Sequence, residues 1–147
     1  MYKGAFILRF EDTSPSIKPP EPEAYEVIRE DLRWLEVHWD EEYIQSSRLP
    51  IYYEYAVKVL SMGGAYICHC PSEGFRNLVV KKKACPCRDL PVEEQMRRWE
   101  DMLNGKTKMG GAVMRVKTDL EHPNPAIRDW PAMRIDTKAH PDRKSVV

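Results

Sequence analysis

Gly4-Ala5-Phe6-Ile7-Leu8-Arg9-Phe10, closed by Glu11-Asp12-Thr13, decides how the rest of the chain reads. The first seven residues form a nearly continuous apolar run. Such a run predicts a strand buried on both faces, the kind found in parallel sheets of α/β proteins. Glu11, Asp12 and Thr13 then sit at its carboxyl end, where open α/β sheets bind ligands. A carboxylate or hydroxyl there serves a ligand or simply caps a turn.

Outward from that strand, Ser14 to Pro22 reads as an irregular, proline-rich loop. Residues 23–36 carry the helical stripe Ala24, Val27/Ile28, Leu32 and Leu35, with Trp34 and Trp39 read as packing residues. A second helix starts at Ser46 or Ser47 and tolerates Pro50 in its first turn. It ends at Gly63-Gly64, which supply a left-handed terminus. Residues 65–68 form a short strand and residues 92–104 a third helix. Residues 112–117 and 133–135 read as further strands. The last ten residues, 138–147, show no pattern and read as a disordered tail.

All four cysteines fall within twenty residues, as Cys68-His69-Cys70-Pro71 and Cys85-Pro86-Cys87-Arg88. Two thiolates one residue apart can reach one ion, and four at about 2.3 Å make a closed structural zinc site. The segment between them has only Phe75, Leu78, Val79 and Val80 as sizeable apolar residues. It reads as a loop poor in core that metal binding would staple. Four free thiols, or two disulfides in an exported chain, are the alternatives. His69 reads as exposed rather than ligating.

The composition excludes several classes. The net charge is +0, so no global field draws nucleic acid, and any basic surface must be local. No apolar run reaches the ~20 residues a membrane helix needs. Met1 runs directly into strand-like sequence, so no signal peptide is expected. Clustered cysteines without such a signal favour a reducing compartment, with the cytoplasm as the default. Lys81-Lys82-Lys83 is the sole run of positive charge, either gripping phosphate or lying solvated at a helix end.

A family resemblance rests on many segments together. Leu8-Arg9-Phe10-Glu11-Asp12-Thr13 resembles the corresponding segment of glutamyl-tRNA synthetases, class I enzymes on a Rossmann core. Similar stretches follow at Glu23-Ala24-Tyr25, residues 31–35, Trp39-Asp40-Glu41, Gln45-Ser46-Ser47-Arg48 and Tyr52-Tyr53. They continue through residues 64–68, 85–88 and 114–120. His122-Pro123-Asn124-Pro125 and Arg128-Asp129-Trp130-Pro131 point to the archaeal type. The likeness runs from about residue 3 to 135.

The resemblance implies activation of glutamate with ATP and Mg, then transfer to the 3′ end of tRNA. It implies that Glu11 contacts the α-ammonium of glutamate. It implies that an inserted lobe carrying the cysteines faces the tRNA acceptor stem. That favours the phosphate-gripping reading of Lys81, Lys82 and Lys83, outside any family motif, with Arg115 and Lys117 as further candidate contacts. The family's ATP-binding histidine motif and its lysine-rich loop are both missing, so the chain reads as an internal fragment, inactive alone. Ser14 stands where the family usually has Asp or Asn.

The expected fold is therefore α/β: a partial Rossmann-like core over residues 1–62, then a connective insertion over 63–137 with a zinc knuckle held by Cys68, Cys70, Cys85 and Cys87. A zinc-stapled RNA-binding module without catalysis is one rival reading. A fragment of a glutaminyl-tRNA synthetase is the other.

Overall fold

A computed structural model describes residues 3–138 and 140. Among these, residues 3–52 with 136–138 and His140 form one compact unit, and residues 53–135 form another.

The first unit is built on β1 (Ile7–Phe10) and β2 (Glu41–Ile44), paired in parallel with Phe10 opposite Ile44. The connection contains α1 (Pro22–Trp34), as a parallel pair requires. β2 has no legible strand pattern of its own, because Glu41-Glu42-Tyr43-Ile44 does not alternate. Covering of β1 on both faces is not what the structure shows. Phe6 and Ile7 are about half exposed, and only Phe10 is buried, packed edge-on against Tyr25. α1 buries no residue fully. Trp34, expected to pack, is 82 % exposed. Trp39 is half-buried, with the Arg33 guanidinium 5.7 Å from its ring centre.

A 3-10 turn (Gln45–Arg48) leads into α2 (Leu49–Ser61), and the division between units falls inside this helix rather than at Gly63. In the second unit, β3 (Ala65–Cys68), β4 (Val113–Val116) and β5 (Pro131–Arg134) form an antiparallel sheet in that order. Strand periodicity sorts β3 onto two faces. Ala65 and Ile67 enter a core with Ala56 and Leu60 of α2, Met114 of β4, and Trp99 and Met102 of α4 (Val92–Leu103). Tyr66 and Cys68 enter a second cluster with Phe75, Cys85 and Cys87. Fully burying side chains such as Leu60 or Ile67 stabilises by roughly 1.5–3 kcal/mol each.

The segment between the cysteine pairs is not the expected loop. It contains α3 (Ser72–Val80), preceded by Pro71 and with Glu73 in its first turn. Phe75, Leu78 and Val79 share one face of this helix and pack on the cysteine cluster.

All four described α-helices end alike. The third residue past the last helical one donates to the carbonyl two residues before that last one, and a left-handed residue precedes the donor. That residue is glycine in α2 and α4 (Gly63, Gly105), but Glu36 after α1 and Lys82 after α3.

Candidate metal centre and carboxyl-edge site

Strand β3 delivers Cys68 into the second cluster, and the turn into α3 brings Cys70 beside it. The second pair is a tight turn: the Arg88 N–H donates to the Cys85 carbonyl at 2.9 Å, with Pro86 at the position that favours such a turn. The four Sγ atoms all lie within 4.8 Å of one another. Cys68 and Cys85 are 3.5 Å apart, Cys70 and Cys85 3.3 Å. Sulfurs placed tetrahedrally at about 2.3 Å from one ion stand ~3.8 Å apart, so the donor set fits a four-thiolate site. No pair is bonded as a disulfide. Cys68, Cys85 and Cys87 are buried, whereas His69 is exposed and outside the cluster.

The cysteines differ in electrostatic setting. Burial pushes the Cys85 and Cys70 thiols up. Burial acts the same way on Cys87, but the His69 N–H and the Arg98 guanidinium outweigh it and hold that thiol below its usual range.

The motifs that flank the cluster act as struts. Asp129 is 1 % exposed and accepts from the Tyr66 hydroxyl, Arg88 Nε and the Thr118 N–H. Arg128 donates to the carbonyls of Val79, His122 and Pro123, tying the end of α3 to the 122–125 loop. The sequence marked these residues only by resemblance; their structural work was not legible.

The candidate cations separate. Lys81, Lys82 and Lys83 are exposed at the end of α3, where Lys82 pairs with Glu121 at 2.9 Å. Lys117 is half-buried. Arg115 does not join them: it is buried, with its guanidinium 3.3 Å from the Phe75 ring centre and Nη1 donating to the Asp129 carbonyl.

In the first unit, Glu11 follows directly on β1 at the carboxyl edge of the parallel pair and is exposed. Its carboxylate accepts from the Thr13 hydroxyl at 2.9 Å and lies 3.3 Å from Arg9. Asp12 turns the other way. It is 2 % exposed and accepts from the Ser46 N–H, the Ser46 hydroxyl and the Tyr25 hydroxyl, with His140 Nε2 at 3.2 Å. Asp12 therefore holds the edge together while Glu11 faces solvent. His140 falls within the expected tail, yet it is buried here; residues 139 and 141–147 lie outside the described residues.

Among the described residues, no helix is long and apolar enough to cross a membrane. The family described as tRNA synthetases class I (E and Q), catalytic domain, matches residues 1–144. The chain is 59 % identical over 142 residues to the glutamate–tRNA ligase of Thermococcus kodakarensis, covering 96 % of this chain and 25 % of that protein. It is 58 % identical over 145 residues to the ligase of the same name from Pyrobaculum aerophilum, covering 95 % and 25 %. The chain spans about a quarter of the length of the curated relatives it matches.

Proposed function

Since the chain belongs to the catalytic-domain family of class I tRNA synthetases for E and Q, we propose that it forms the glutamate-contacting edge and the tRNA-facing lobe of a cytoplasmic glutamate–tRNA ligase. The relatives above carry that name, which favours glutamate over glutamine. In this reading the whole enzyme uses ATP and Mg to activate glutamate.

The observation that carries the reading is the placing of Glu11. It is an exposed carboxylate at the carboxyl edge of a parallel strand pair, beside a buried acid that fixes the backbone. An α-ammonium can donate a charge-assisted hydrogen bond to it, and an analogue without the amino group cannot. The Arg9 contact is a solvated pair worth little, so it yields readily to a ligand cation.

The second unit supplies the platform. Cys68, Cys70, Cys85 and Cys87 would hold zinc, whose binding energy becomes folding energy for the lobe. Lys81, Lys82, Lys83 and Lys117 then offer charge to the acceptor-stem phosphates.

The test is a chimaera: residues 1–144 of this chain replace the matching segment of the Thermococcus kodakarensis ligase. Glutamate-specific charging of tRNA within about tenfold of the parent is expected. Glu11→Ala in the chimaera should raise the KM for glutamate by about 10–100-fold, the loss of one charge-assisted hydrogen bond. A folded chimaera that does not charge tRNA, or an unchanged KM, would overturn the reading.

A further inference from the structure

Strand β3 is an edge of its sheet, so among the described residues one side of its backbone lacks a strand partner. Two side chains of α4 occupy that side at Ile67. The Ile67 N–H donates to Gln95 Oε1 at 2.7 Å, and Arg98 Nη1 donates to the Ile67 carbonyl at 3.3 Å. Both residues also reach the second cysteine pair. Gln95 Nε2 donates to the Cys87 carbonyl at 2.7 Å, and the Arg98 guanidinium lies near the Cys87 sulfur. Gln95 is 3 % exposed, with both ends of its amide committed. It thus spans from the residue before Cys68 to Cys87 itself. Arg98 is aimed by Glu94, which accepts from its Nε at 2.7 Å.

We propose that Gln95 and Arg98 are positioning residues of the cysteine site: Gln95 sets the spacing of the two pairs, and Arg98 offsets the charge the thiolates bring. The inference rests on the metal reading above. Four thiolates around a divalent ion leave a surplus of roughly two negative charges. Three of these cysteines are buried, where unbalanced charge is costly. Among the described residues, Arg98 brings a full positive charge near Cys87, while the hydrogen bonds to cysteine sulfur come from backbone N–H groups and neighbouring thiols. Partners of this kind commonly tune metal affinity by about 10–100-fold.

The experiment compares the parent chain with Gln95→Met, Arg98→Met, Arg98→Lys and the control Arg97→Met. Arg97 lies on the same helix, is 60 % exposed, and among the described residues pairs with Glu94 and Asp101. It removes the same charge without touching a cysteine. Zinc affinity is read by chelator competition, and cobalt(II) loading by the thiolate-to-metal absorption band.

The parent should load one ion. Gln95→Met and Arg98→Met should weaken zinc about 10–100-fold, Arg98→Lys should recover part of the loss, and Arg97→Met should stay within about twofold. The cobalt band should shift in Arg98→Met and not in Arg97→Met. A parent that loads metal while Arg98→Met binds within about twofold of it, with an unshifted band, overturns the inference, and this arm decides alone should Gln95→Met not fold. A parent that loads neither metal overturns the metal reading itself.

Discussion

The Tyr66 hydroxyl donates to the Asp129 carboxylate at 2.9 Å, joining β3 to the segment before β5 across sixty-three residues of chain. Tyr66 is fully buried, and burial first and the Asp129 charge second push its phenol far up, so it stays a donor. The same carboxylate holds Arg88, the residue after the second cysteine pair, at 3.0 Å.

Asp129→Ala should therefore cost about 3–5 kcal/mol, since it strands a half-buried Arg88 and two further donors. Tyr66→Phe should cost only ~1 kcal/mol, the net worth of one hydrogen bond. Urea unfolding of both variants checks this. A loss below about 1 kcal/mol for Asp129→Ala would remove the strut from the account.

Lys82 and Glu36 hold left-handed conformations, at φ 56° and 57°, where two of the other helices use glycine. Replacing either with glycine should stabilise by about 0.5–1 kcal/mol, the relief of side-chain strain less the gain in unfolded-state entropy. The Lys82–Glu121 pair is solvated and offsets little of this. Thermal denaturation is the readout, and a lowered Tm in both variants would contradict the strain argument.

Asp12 gives the first unit an acid-sensitive joint. Burial alone would raise its carboxyl. The bonds from Ser46 and Tyr25, with His140 alongside, outweigh burial and hold it below the ordinary 3.8. A folded value below the unfolded one gives stabilisation that is complete above about pH 4 and lost as pH falls through the folded value. Asp12→Asn should be about 1.5–3 kcal/mol less stable near pH 7, with the gap closing below about pH 4. Parallel stability curves for the two proteins between about pH 7 and 3 would show that Asp12 carries no such linkage.

The exposed and buried cations should respond differently. Lys81→Ala and Lys83→Ala should each lower the salt dependence of tRNA binding by about one unit of slope and leave stability nearly unchanged. Arg115→Ala should do the reverse, since its guanidinium sits over Phe75 inside the lobe. Filter binding across a salt series, paired with melting curves, separates the two. An unaltered slope in both lysine variants would detach this basic run from nucleic acid.

Helices α2 and α4 were readable because their termini carry strong local signals, such as Pro50 in the first turn of α2 and Gly63 and Gly105 at left-handed ends. Strands β3 and β4 were readable because they are short apolar runs. β2 was not, since Glu41-Glu42-Tyr43-Ile44 becomes a strand only through its pairing with β1. α3 was not legible as a helix: Phe75, Leu78 and Val79 have helical spacing, but over only nine residues poor in apolar bulk. The cysteine cluster was legible from spacing alone. Gln95 and Arg98 were not: a polar residue on an amphipathic helix gives no sign that it bonds a strand edge in the fold.

The central claim is that Cys68, Cys70, Cys85 and Cys87 hold one zinc ion that staples the lobe. Elemental analysis of protein purified without added metal tests it most directly. The account predicts close to one equivalent of zinc per chain, falling sharply in Cys85→Ser. Less than roughly 0.2 equivalents in the parent, with all four thiols freely titratable, would contradict it.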